Sequence, residues 1–175
     1  MSTLLPAPWP PIPLDLGQIN GVPVLNCGLP GGRCAIRVPK QLGMRAYAYL
    51  RWLAYQRLGQ PPGGVLLDRR SWTMYFLIMT PHQRDQDRVA RCLEQVPDRP
   101  RFLGNGALVV LPTMGRRSQR WLGDSQEPTD TFAVVAALRI AGRVRVGPDS
   151  AERLTLSAAA RAEHLGTFSR ALTTW

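Results

Sequence analysis

A chain of 175 residues, 45% hydrophobic and 19% charged, has the size and composition of one folded domain, which excludes a disordered polymer. The longest apolar run near a helix, Phe132–Leu138, is far too short to span a bilayer, so no membrane partner is expected. The net charge of +10, built from 21 arginines and the single Lys40 against 12 acids, favours polyanions such as nucleic acid; a merely solvated basic surface is the alternative.

Part of the arginine bias is what GC-rich coding of the actinobacterial type produces, so position matters more than number. No acid lies between Asp15 and Asp68, while Arg33, Arg37, Lys40, Arg45, Arg51 and Arg57 all do. A second acid-free stretch, Arg99 to Gly123, holds Arg99, Arg101, Arg116, Arg117 and Arg120. Cys27, Cys34 and Cys92 are an odd number without CxxC spacing, and His82 and His164 are the only histidines, so buried reduced thiols are expected rather than zinc. The N-terminus lacks the basic start and cleavage site of a signal peptide, which places the expected location in the cytoplasm.

In chain order, residues 1–20 read as a proline-rich arm, with Pro6, Pro8, Pro10, Pro11 and Pro13 forcing extended geometry and Trp9 and Ile12 available for docking. "GVPVLNC" (21–27) is a strand, "GLPGG" (28–32) a turn, and "RCAIRV" (33–38) a second strand with Cys34 and Ile36 on one face, stopped by Pro39. From Lys40 to Leu58, Leu42, Ala46, Tyr49, Leu50 and Leu53 recur at helical spacing, and Tyr47, Tyr49 and Tyr55 are expected to pack. "GQPPGG" (59–64) breaks the chain, and "VLLD" (65–68) with "SWTMYFLIM" (71–79) reads as a hairpin.

Thr80 is expected to cap a helix that runs to about Gln95, with Pro81 in its first turn and Gln83 at the reciprocal capping place. Next come "RFL" (101–103), a Gly104-Asn105-Gly106 turn, "ALVVLP" (107–112) and a basic loop, after which "QRWL" (119–122) is expected to pair back. Asp130 caps a further helix to about Ala141 with Val134, Val135 and Leu138 inward. The class is α+β, with a mixed or antiparallel sheet flanked by helices. The organisation is an arm (1–20), one domain (21–145) and a helical C-terminal tail (146–175).

This order of elements from Gly21 to Leu122 resembles the N-terminal domain of bifunctional DNA primase/polymerases, in the archaeo-eukaryotic primase superfamily. The resemblance is carried by "RVPKQLG" (37–43), "MYFLI" (74–78), "GNGALVVLP" (104–112) and "RWL" (120–122). It implies a primase/polymerase-like fold in which an acidic pair and a later acid hold divalent metals for nucleotidyl transfer, while a histidine binds phosphate. The sequence departs from that pattern at each place. Arg37 and Pro39 stand where the acidic pair falls, Thr73 where the histidine falls, and Arg101 where the late acid falls.

The resemblance therefore implies a degenerate member with no catalytic residues, no metal and no cofactor. A guanidinium at a former metal ligand places fixed positive charge where the cation lay, so phosphates can be held without turnover. The expected phosphate-binding residues are Arg37 and Arg101, which would face one groove, together with Arg116, Arg117 and Arg120 of the basic loop "GRRSQR" (115–120), for which a solvated hairpin loop is the alternative. Trp72 and Trp121 are candidates for base stacking, with Trp52 a third indole of the same kind. The expected partner is DNA or RNA, including single strands, or a nucleotide, in an accessory or regulatory role. A protein-interaction module that binds no nucleic acid is the alternative, and an active nucleotidyl transferase with relocated acids is a third. "LPGG" lacks the Lys-Ser/Thr ending of a P-loop, and Ser71 and Ser118 have no nearby His–Asp partners for a hydrolase triad.

Overall fold

The computed structural model describes residues 15–56, 58–59, 61–113, 118–122 and 126–143. The chain runs β1 (Leu16–Ile19), β2 (Val22–Asn26), β3 (Arg33–Pro39), α1 (Lys40–Tyr55), β4 (Val65–Asp68), β5 (Thr73–Met79), α2 (Gln83–Glu94), β6 (Arg101–Leu103), β7 (Leu108–Val110), β8 (Gln119–Trp121) and α3 (Thr131–Arg143). The class is α+β, with two antiparallel sheets: five strands in the order β6-β3-β5-β4-β8, and three in the order β1-β2-β7.

Strand alternation builds the layers. Cys34, Ile36 and Val38 of β3, with Met74, Phe76 and Ile78 of β5, face the helices and pack against Leu42, Leu50, Val89, Val135 and Leu138. Ala35 and Leu77, with Leu66 of β4, point the other way and meet Leu25 and Val109 of the small sheet. The five-stranded sheet is thus the middle layer, with helices on one face and the small sheet on the other. Ala35 is buried against the small sheet, whereas Arg37, two residues further along the same face of β3, is exposed.

Several sequence expectations change. The end of the presumed arm is a strand: β1 pairs with β2 through an Asn20-Gly21 turn, both residues at positive φ (51° and 74°). That dipeptide suits a two-residue hairpin because it tolerates the left-handed region. Residues 119–122 do not pair back onto 107–112; β7 joins β2, whereas β8 joins β4 in the other sheet. Thr80 does not cap α2. Its hydroxyl lies 3.2 Å from Cys34 Sγ, and His82 occupies the cap position without a side-chain bond. Tyr47 and Tyr49 are buried, but Tyr55 is 84% exposed beyond the packed face of α1. The helix expected to reach Leu58 ends at Tyr55.

Other expectations hold. Asp130 Oδ1 accepts the Ala133 amide at 2.7 Å, and Val134, Val135 and Leu138 are buried. The first orphan amide of α1, on Lys40, donates to the Trp72 carbonyl at 2.9 Å, so the β4–β5 turn supplies the cap that Pro39 cannot. Residues 1–14 of the arm and the proposed tail (146–175) lie outside the described residues.

Candidate functional site

Pro39 stops β3 and turns the chain into α1, so the last residues of β3 lie at the rim of the sheet. There Arg37 stands opposite Tyr75 on one side and Arg101 on the other. Opposed residues of an antiparallel pair project from the same face, so the two arginines are cross-strand neighbours. Both are exposed. They line one cavity of about 370 Å³ together with Val38, Pro39, Thr73, Asp98 and Arg99.

The loop from α2 to β6 completes this wall. Asp98 and Arg99 both adopt the left-handed region, at φ 65° and 43°. Two successive non-glycine residues there are uncommon. Pro100 disfavours a right-handed helical conformation at Arg99, and the Arg99 amide closes onto the Val96 carbonyl at 3.3 Å. The loop thereby sets Arg99 beside Arg101.

The electrostatic arrangement is lopsided. Three guanidiniums and one carboxylate line the cavity, and none of Arg37, Arg99 and Arg101 forms an ion pair among the described residues. Like charges directly opposed across strands repel, and an anion between them removes that repulsion. The Thr73 hydroxyl adds a neutral hydrogen-bonding group and itself lies beside Ser71 Oγ. Asp68 is engaged in the turn, where its carboxylate accepts from the Arg70 and Ser71 amides and from Ser71 Oγ.

Arginines expected to contact phosphate fall in two different parts of the described structure. Arg37 and Arg101 come together, and Arg99, which the sequence offered only as part of an acid-free stretch, joins them. Arg120 does not. It pairs with Leu67, whose side chain faces the helices, and β8 is the far edge of the sheet from β6. Four strand spacings of about 4.8 Å each separate those edges. Arg116 and Arg117 lie outside the described residues.

Arg33, counted in the first basic segment, is neutralised. Its Nε and Nη2 reach the Asp15 carboxylate at 2.7 and 3.0 Å, and its amide reaches the same group at 2.9 Å. Asp15 is only 2% exposed and the Arg33 side chain 15%. The hydrogen bond from Arg33 holds the Asp15 carboxyl below its ordinary value against the opposing cost of burial, and Asp15 in turn raises Arg33.

Of the indoles, Trp72 is 63% exposed, directly precedes the cavity residue Thr73, and carries the Lys40 ammonium 3.9 Å above its ring. Its positive φ of 54° is set by the tight β4–β5 turn. Trp121 lies half-buried in the row Arg101–Arg37–Tyr75–Leu66–Trp121 that crosses the five-stranded sheet on one face. Trp52 packs on the helical core with its ring 5.9 Å from Tyr49. Asp98 is an addition to the cavity that sequence reasoning missed, as it missed Tyr75, which stands opposite Arg37 without lining the cavity. Strand alternation puts Tyr75 two residues from Thr73 and hence on its face, a signal that the sequence itself carries.

Among the described residues no three His, Cys, Asp or Glu side chains cluster in a way that could hold a metal ion. Cys27 and Cys34 are buried free thiols and Cys92 is half-buried. No described helix is long and apolar enough to cross a membrane. The chain matches no family model, and no curated protein or solved structure is found similar to it.

Proposed function

We propose that this protein is a catalytically inactive, primase/polymerase-like domain that grips the phosphates of a nucleic acid strand or a nucleotide, in an accessory or regulatory role. The observation that carries the reading is the facing pair Arg37 and Arg101 in a single cavity with Arg99, none of them ion-paired among the described residues. Arg37, Pro39, Thr73 and Arg101, the positions the resemblance matches to the family's acids and histidine, line that same cavity. Convergence from β3, β5 and β6 onto one cavity is what such a match requires, and it is a consequence of register that spacing alone does not impose.

The chemistry is electrostatic. Guanidinium groups bind phosphate oxygens through paired N–H donors and need no metal to do so. The lining holds three guanidiniums and a single carboxylate, Asp98, a set suited to gripping phosphate, whereas the family's nucleotidyl transfer uses several carboxylates to hold divalent metals.

The test is fluorescence anisotropy of labelled single-stranded DNA and RNA across a salt series. Binding is expected to fall steeply with salt, and Arg37→Gln or Arg101→Gln is expected to flatten the logarithmic slope by about 0.7 for each phosphate interaction removed. Absence of binding at low salt refutes the reading. Incorporation of nucleotides by the pure protein with Mg²⁺ or Mn²⁺ refutes its inactive half.

A further inference from the structure

The helix side of the same edge strand carries a second cavity, of about 580 Å³. It is lined by Ala90 and Glu94 of α2 and by Arg99, Pro100, Arg101 and Phe102. Arg99 and Arg101 belong to both cavities, so the two share a wall. The chemistry on this side is different. Phe102 is half-buried with its ring against the core, and Glu94 is exposed at the last turn of α2. The Glu94 carboxylate makes no hydrogen bond or ion pair among the described residues, although two arginines line its cavity. An acceptor pair, an aromatic ring and a volume ample for a nucleobase beside a phosphate-type site suit the two ends of one nucleotide.

We infer that the second cavity is a nucleobase subsite selective for guanine, filled by the ligand whose phosphate lies among Arg37, Arg99 and Arg101. The inference rests on the phosphate-binding reading above. Guanine alone among the common bases presents two adjacent N–H donors, N1–H and N2–H, on its base-pairing edge, and a carboxylate accepts both at once. Adenine and cytosine place a ring-nitrogen acceptor next to their single amino donor, which would face the carboxylate repulsively. Uracil flanks its one N–H with two carbonyl oxygens. Phe102 supplies an apolar surface for the ring, and Arg99 and Arg101 lie between the carboxylate and the phosphate, which would otherwise repel each other.

The same chemistry occurs in a free guanine nucleotide and in a guanine within a strand. Calorimetric titration with guanosine, adenosine and uridine 5′-monophosphates is the first arm. Titration with a thymidine oligomer, with and without one guanine, is the second. Guanosine monophosphate is expected to bind about tenfold more tightly than the other two, and Glu94→Gln, with unchanged thermal unfolding, is expected to erase that margin. A guanine effect confined to the oligomer assigns the subsite to a strand and supports the inference equally. Equal affinities for all three nucleotides with no guanine effect in the oligomer, or a guanine preference that survives Glu94→Gln, overturns it while arginine-dependent binding leaves the phosphate reading intact. Failure of every nucleotide and oligomer to bind overturns both.

Discussion

Arg37 and Arg101 face each other across an antiparallel strand pair at the open rim of the sheet, and neither forms an ion pair among the described residues. Like charges so placed weaken the folded state slightly. Arg101→Glu is therefore expected to raise the melting temperature, by creating a cross-strand ion pair, and to abolish binding of single-stranded nucleic acid. Inorganic phosphate should raise the melting temperature of the parent protein and not of this variant. Calorimetric scans with and without phosphate make the comparison.

The Asp15–Arg33 pair joins the start of β1 to the start of β3 and is nearly excluded from water. Asp15→Asn leaves a buried guanidinium uncompensated and is expected to cost roughly 3 kcal/mol in urea unfolding. Because Asp15 has its folded pKa depressed, its contribution is present above the unfolded value of about 4 and is lost as pH falls through the folded value. Stability measured from pH 6 downward should therefore fall in the acid range, less so in the variant.

Gly43 lies in α1 where an added Cβ would meet Val38 Cγ2 at 2.7 Å and Met74 Sδ at 2.8 Å. Glycine to alanine inside a helix ordinarily gains up to about 1 kcal/mol. Overpacking against the sheet costs about 1–3 kcal/mol and wins here. Gly43→Ala is expected to lower the urea midpoint.

Helix capping separates two residues that look alike in sequence. Asp130→Ala removes the bond to the Ala133 amide and is expected to cost about 1 kcal/mol. Thr80→Ala leaves the α2 terminus unchanged because its hydroxyl contacts Cys34 Sγ, so any destabilisation should not appear as fraying of α2. Hydrogen exchange at the first turns of α2 and α3 distinguishes the two.

Burial pushes the Cys27 thiol up to about 12 and raises Cys34 as well. Thiolate is the reactive form, so both should resist alkylation at pH 8 in the native protein. Cys92, half-buried on α2, is expected to be labelled first. Mass spectrometry of partially alkylated protein before and after denaturant gives the order.

Local physics made much of this fold legible. Helical spacing marks the buried face of α1, Pro39 marks the end of β3, Asp130 marks the start of α3, and alternation puts Cys34 and Ile36 together. Asn20-Gly21 is equally local evidence for a hairpin, and reading residues 1–20 as an extended arm passes over it. What alternation cannot give is the neighbour. It says which side of a strand a residue occupies and not which strand lies beside it, because pairing is fixed by long-range burial and by loops that the sequence leaves open. Tertiary structure alone sends β7 and β8 to different sheets, puts Arg101 opposite Arg37, brings Arg99 to them, removes Arg120 to the far edge and neutralises the charge of Arg33 on Asp15. The sequence determined that positive charge would be abundant; the register of three strands decided where it is concentrated.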